Sequence, residues 1–141
     1  MKKYEVFEIL NKFEEAKSRK DKISVLRKYD IMPLRDVLQG TFDDNIVWNL
    51  PEGEPPYKPQ RPESVPSTLL KQHMKFKFFV KGLFDSEKLK PLKRESMFVS
   101  MLESIHPEDA KVLVSMINKN PPVKGLTKKI VQEAYPDLIP N

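Results

Sequence analysis

The stretch "EVFEILNKFEEAK", residues 5–17, spaces its apolar side chains three and four positions apart, which predicts an amphipathic α-helix. The inward-facing residues of this helix are Val6, Ile9, Leu10, Phe13 and Ala16. Ser18 follows, with Asp21 three residues later, and this pair predicts the start of a second helix because the hydroxyl can accept from unpaired backbone N–H groups. Helical spacing recurs along most of the chain, so the sequence predicts an all-α fold.

Prolines, glycines and hydroxyl residues delimit the remaining helices. We predict a third helix from Pro33 to Gly40, a fourth from Ser67 or Thr68 to Gly82, a fifth from Pro91, a sixth from Pro107 and a last one after Thr127. On the fourth helix, His73 falls on the apolar stripe and is predicted to be a core residue. A chain of 141 residues fits one domain, so we expect residues 1–141 to form a compact bundle of about six or seven helices.

A proline-rich segment interrupts the helical pattern from about residue 43 to residue 66. Each proline lacks the backbone N–H that a helix or a central strand requires, so we predict one long loop. Loops of this length either wrap a domain or move. Trp48 and Tyr57 are the predicted anchors of the loop on the core.

Composition and charge narrow the classes of function. The sequence has no cysteine and only two histidines, so we expect no disulfide, no metal site and no cofactor. Apolar runs stay far below the ~20 residues of a transmembrane helix, so no membrane partner is expected. The net charge of +5 is unevenly distributed: +3 in residues 1–30, −3 in 31–66, +5 in 67–96 and zero in 97–141. A polyanion is therefore a candidate partner.

No catalytic constellation is recognisable in the sequence. It lacks a Walker-type phosphate loop, a nucleophile elbow and a His-Glu-x-x-His motif. Adjacent carboxylates such as Glu14 and Glu15 point in different directions on a helix, which makes them poor partners for acid/base work. We therefore predict a binding protein and not an enzyme.

The segment "VKGLTKKIVQEAYPDLIP", residues 123–140, is the strongest local signal of binding. Its glycine permits a tight turn and its threonine is a good N-cap, so a phosphate at this helix start would meet free N–H groups and a partial positive charge. An ordinary capped helix is the alternative interpretation. We predict a phosphate clamp of Lys124, Gly125, Thr127, Lys128 and Lys129, and a second basic strip of Lys71, Lys75, Lys93 and Arg94.

Three segments of the chain resemble the N-terminal DNA-binding domain of T-even phage-type ATP-dependent DNA ligases, and also a family of short tailed-phage proteins of unknown function. They are "EILNKFEEAKSRKDKISVLRKYD", "LRDVLQGTF" and residues 123–140. The resemblance implies that the chain grips duplex DNA, including nicked DNA, through backbone contacts. It also implies a phage-encoded protein that acts in the host cytoplasm or is carried in the virion.

The resemblance does not extend to the catalytic domain of such ligases. In those enzymes the adenylated lysine belongs to a Lys-x-Asp-Gly motif in a separate domain after the helical one. The nearest string here is Lys28-Tyr29-Asp30-Ile31, which has no glycine, and the chain ends where that domain would begin. The resemblance therefore implies a DNA-binding module without nucleotidyltransferase activity.

A protein-interaction module is the alternative function. In this hypothesis the same helical scaffold docks a phage or host protein. The proline and aromatic residues between Trp48 and Pro66 are typical of recognition segments. The zero net charge of residues 97–141 also favours this alternative, because a dedicated DNA clamp is usually more basic.

Overall fold

The predicted apolar stripes are buried on helices in the computed structural model, which describes residues 3–140 and confirms the all-α class. Within that range the α-helices are α1 Val6–Glu15, α2 Arg19–Lys28, α3 Met32–Phe42, α4 Leu69–Gln72, α5 Phe84–Glu87, α6 Pro91–Ser104, α7 Pro107–Ile117 and α8 Lys128–Ala134. Two 3₁₀ helices cover Pro62–Ser64 and His73–Phe79. Among the described residues, β pairing is limited to one antiparallel bridge between Trp48 and Val80.

The first two helices form as the sequence predicts. The fully buried residues of α1 are Val6, Ile9, Leu10 and Phe13. Ser18 Oγ accepts from the backbone N–H of Asp21 at 3.1 Å, which confirms the predicted start of α2. On α2 only Leu26 is buried, so most of this basic helix faces solvent.

The predicted end of the third helix at Gly40 is wrong, because α3 continues to Phe42. Gly40 allows close packing against α3 and does not end the helix. A Cβ atom added there would lie 2.5 Å from Cζ2 of Trp48 and 2.8 Å from Sδ of Met116, which is closer than packed atoms approach. The indole Nε1–H of Trp48 donates to the carbonyl of Gly40 at 2.9 Å and fixes the ring on α3.

The predicted fourth helix is in fact a short α-helix followed by a 3₁₀ helix. The chain leaves α4 at Gln72 and continues as the 3₁₀ helix His73–Phe79. With three residues per turn, Phe76 and Phe79 lie on the same buried face. Leu83 falls at helical spacing with His73 and Phe76 in the sequence, but it is 45% exposed in the structure. The short helix α5 that follows was not predicted.

The proline-rich segment wraps the helices. The Trp48 and Phe76 rings meet edge to face with centroids 6.1 Å apart, and Tyr57 packs against the core, so both predicted anchors are confirmed. The side chain of Asn118 at the end of α7 also holds the loop. Its Nδ2 donates to the carbonyl of Gly53 at 2.9 Å, and its Oδ1 accepts from the N–H of Gly53 at 2.7 Å.

Helix pairs surround one cluster of buried apolar side chains. The main helix pairs are α1 with α2, α3 with α7, and α2 with α8. The phenol O–H of Tyr135, which directly follows α8, donates to the backbone carbonyl of Leu26 on α2. Burial raises the pKa of Tyr135, so this O–H stays protonated and keeps α8 on α2.

Two carboxyl groups are buried where α1 and α7 begin. Asp109 Oδ1 accepts from the N–H of Phe7 at 2.8 Å, while Asp109 Oδ2 and Glu5 Oε2 are buried without a donor. Burial, with Glu5 and Glu8 nearby, raises the pKa of Asp109 to about 7. A proton on Asp109 Oδ2 can donate to Glu5 Oε2, which gives both oxygens a partner. We call these two residues the buried acid pair.

Candidate functional site

A groove between the 3₁₀ helix His73–Phe79 and α6 brings together two of the predicted basic residues. It encloses about 310 Å³. Lys75 lies on one wall and Lys93 on the other. We call this site the serine groove, and its lining residues are Gln72, Lys75, Phe79, Lys93, Ser96, Met97, Ser100, Met101 and Ser104.

The serine groove combines positive charge with hydroxyl groups. None of the described residues that line it carries a carboxylate. Lys75 and Lys93 are exposed, as are Ser96 and Ser100, which lie one turn apart on α6. Ammonium and hydroxyl groups are donors for phosphate oxygens, so the groove can hold an anion without a neighbouring negative charge. Lys71 is also exposed and precedes Lys75 by four residues.

The structure removes Arg94 from the predicted basic strip. Arg94 is 7% exposed, and its guanidinium is used inside the protein. Nε donates to the carbonyl of Asn49 at 2.7 Å, and Nη1 donates to the carbonyls of Ser86 and Leu89 at 3.0 Å. The forked donors of arginine suit several carbonyls at once, so Arg94 ties α5 and the long loop to α6. Its role is structural.

The predicted phosphate clamp is a single turn that leads into α8. Gly125 has a φ of +86°, a left-handed conformation that favours glycine. Thr127 Oγ1 accepts from the N–H of Ile130 at 3.3 Å, which confirms the predicted N-cap. The sequence therefore predicted the local geometry of this turn correctly.

Carboxylates occupy part of the same turn. The backbone N–H of Lys124 donates to Glu14 Oε2 at 3.3 Å, and Lys128 Nζ lies 3.4 Å from Asp44 Oδ2. Within residues 3–140, Lys129 has no ion-pair partner. The turn thus offers fewer uncommitted donors than its sequence indicates.

A basic face on α2, beside α8, was not predicted as a site. Arg19, Lys20 and Arg27 line a shallow depression there that encloses about 490 Å³. Glu133 of α8 pairs with Arg19 at 2.8 Å, and its backbone carbonyl accepts from Arg27 at 2.8 Å. The charge of α2 in the sequence could have indicated this basic surface, because the helix carries five lysines and arginines against one aspartate in ten residues. We call this surface the α2 face.

His73 has a polar partner that helical spacing does not show. Its Nδ1 lies 2.5 Å from Asp36 Oδ2 of α3, and both side chains are partly buried. The pair joins the 3₁₀ helix to α3. In the described part of the chain, no group of three or more His, Cys, Asp or Glu side chains is arranged to hold a metal ion. Nor is any helix of residues 3–140 long and apolar enough to cross a membrane.

Fold and site together define an all-α protein with a basic, hydroxyl-lined groove. The model of a protein family of unknown function, DUF6433, matches residues 9–121. The chain therefore belongs to this family. No curated protein matches the chain. The matched residues include the serine groove and the α2 side of the α2 face, and they stop before Glu133 and before the turn at 124–129.

Proposed function

We propose that this protein is a non-catalytic module that binds the phosphate backbone of duplex DNA. The observation that carries the proposal is the serine groove, where Lys75 and Lys93 face one cleft together with exposed serine hydroxyls and no carboxylate. Phosphate contacts from lysine and serine fix a protein on DNA without reading its sequence. Binding is therefore expected to be independent of sequence and sensitive to salt.

Other basic residues on the surface can add contacts with the DNA backbone to those of the serine groove. The α2 face adds Lys20 and Arg27, and the turn before α8 adds Lys129. Several separate phosphate contacts are typical of domains that embrace a duplex. This arrangement agrees with the resemblance to the DNA-binding domain of phage-type ligases, in which nicked DNA is the ligand. The proposal includes nicked as well as intact duplex.

Removal of charge from the serine groove tests the proposal. Wild type and a triple variant, Lys71→Ala, Lys75→Ala and Lys93→Ala, are titrated with a labelled short duplex at several salt concentrations. Each phosphate contact contributes about 0.9 to the slope of log affinity against log salt, so we expect the slope to flatten by about 2 to 3. All three lysines are exposed, so the variant keeps its fold.

A matched variant controls for the change in net charge. Lys58→Ala, Lys81→Ala and Lys111→Ala remove three exposed lysines that do not line the serine groove. We expect this control to keep a slope close to that of wild type. Equal slopes for the groove variant and wild type, or no binding of duplex at low salt, would overturn the proposal. A parallel series with nicked duplex measures any preference for the nick.

A protein-interaction module is the second candidate function. The observation that favours it is a group of exposed apolar side chains on and near α5 and α6: Phe84 is 78% exposed and Leu92 is 82% exposed. Exposed apolar patches often mark protein contacts. The loop aromatics Trp48 and Tyr57 support this function less than the sequence suggested, because both pack on the core. Retention of a specific protein together with no DNA binding at low salt would favour this candidate.

A further inference from the structure

A second groove lies where the residues before α1 meet the end of α2 and the start of α3. It encloses about 780 Å³, within the roughly 300–1,000 Å³ that is typical of ligand sites. It shares no lining residue with the serine groove. We call it the tyrosine groove, and its lining residues are Lys3, Tyr4, Ile9, Lys28, Tyr29, Asp30, Ile31, Pro33 and Leu70.

Most of the tyrosine groove is apolar. Ile31, Pro33 and Leu70 contribute aliphatic surface. The rings of Tyr4 and Tyr29 meet edge to face, with centroids 5.3 Å apart and planes at 82°. This geometry is favourable for aromatic pairs, so the two rings form an ordered wall. The groove thus offers a preformed apolar surface.

The rim of the tyrosine groove is positively charged. Lys3 and Lys28 are exposed lining residues, and Lys12 Nζ lies 4.8 Å from the ring centroid of Tyr4. Asp30 is the one acidic residue among the described residues that line the groove. Arg35 donates to both carboxylate oxygens of Asp30, at 2.6 and 2.8 Å.

Because Asp30 is paired with Arg35, the lysines determine the charge of the rim. A hydrogen bond from Arg35 holds the pKa of Asp30 below its usual value, so Asp30 stays ionised and paired with that cation. The rim is therefore complementary to a partner that carries carboxylates.

The lining favours a peptide over a nucleic acid. Single-stranded nucleotides bind to open ring faces and to donors or acceptors for base edges. Here Lys12 lies over the rings of both Tyr4 and Tyr29, and the remaining floor is largely aliphatic. An amphipathic helix places side chains at positions i, i+3, i+4 and i+7 into such grooves. We propose that the tyrosine groove docks an acidic amphipathic helix of a partner protein, with its carboxylates on the lysine rim.

Selection from a peptide library tests this proposal without a known partner. The library displays random peptides of roughly 15 residues, long enough for four helical turns. We expect the enriched peptides to carry apolar residues at helical spacing and an excess of Asp and Glu. A labelled synthetic copy of one enriched peptide is then titrated against wild type and against the double variant Lys3→Glu and Lys28→Glu.

The lysine variant makes the outcome specific to the groove. Both positions are exposed, so the variant should fold, and we expect it to bind the acidic peptide about tenfold more weakly. The control Lys58→Glu and Lys81→Glu changes the net charge equally and should bind as wild type does. Enriched peptides without acidic excess, or equal affinity for the double variant, would overturn the proposal. So would a thymidine oligonucleotide that competes for the groove more strongly than the peptide.

Discussion

Replacement of Asp109 by asparagine should stabilise the protein at neutral and alkaline pH. Burial raises the pKa of Asp109 from 3.8 to about 7, with Glu5 and Glu8 adding to the effect. The folded protein therefore holds a proton on the buried acid pair over a pH range in which the unfolded chain has released it. Folding stability falls as pH rises between these two pKa values.

The size of the effect follows from the rise of the Asp109 pKa from 3.8 to about 7. At 1.36 kcal/mol for each unit, the ionisation of Asp109 costs roughly 4 kcal/mol of the free energy of unfolding once the pH exceeds about 7. Asparagine keeps the oxygen that accepts from the N–H of Phe7, and its amide can donate to Glu5 without a titrating proton. Asp109→Asn should therefore lose this pH dependence.

Urea denaturation at about pH 4, 6 and 8 measures the effect. We expect the variant to match wild type near pH 4 and to exceed its free energy of unfolding by several kcal/mol near pH 8. The ring of His106 stacks on Phe7 at 4.3 Å close to this site, so wild type and variant are compared with each other at every pH. Asp137→Asn, at an exposed position, is the control and should follow wild type. If Asp109→Asn retains the wild-type slope, the buried acid pair does not hold its proton as described.

Three further changes test the packing and the site assignments. Gly40→Ala should lower the free energy of unfolding by about 1–3 kcal/mol because its Cβ would collide with Trp48 and Met116, and thermal or urea denaturation measures the loss. Arg94→Ala should cost about 3 kcal/mol by the same assay. Arg94→Gln, which removes the charge and keeps one donor group, should leave the salt slope of DNA binding unchanged, and a flattened slope would return Arg94 to the binding surface. Thr127→Ala should cost about 1 kcal/mol through loss of the α8 N-cap, and an unchanged stability would contradict the capping role.

Sequence periodicity predicted the helices that bury a regular stripe. The pattern of α1 and the caps at Ser18 and Thr127 are local features, so a single sequence contains the information. Gly40 shows where this information ends. Nothing near Gly40 in sequence indicates that Trp48 and Met116 will close on it from other elements, so its local signal as a helix end was misleading.

The candidate site could be predicted in part, because the charge of a segment is also a local feature of the sequence. Lys75 and Lys93 were selected from local charge, and the fold brings them to one groove. Arg94 belongs to the same basic run but turns inward, because its donors meet the carbonyl of Asn49 in the long loop and two carbonyls, of Ser86 and Leu89, just before α6. Lys128, at the start of α8, was predicted to hold a phosphate, yet Asp44 lies 3.4 Å from its ammonium group across the fold. A run of basic residues in a sequence shows where cations lie along the chain. It does not show which of them form ion pairs in the folded protein.

Chemical-shift mapping shows whether duplex DNA binds in the serine groove. Backbone amide spectra of the isotopically labelled protein are recorded as a short duplex is added at low salt. We expect the largest shifts around residues 71–75 and 93–100, which flank and line the serine groove, with smaller shifts on the α2 face. Unchanged spectra for both segments, or shifts concentrated on the tyrosine groove, would contradict DNA binding in the serine groove.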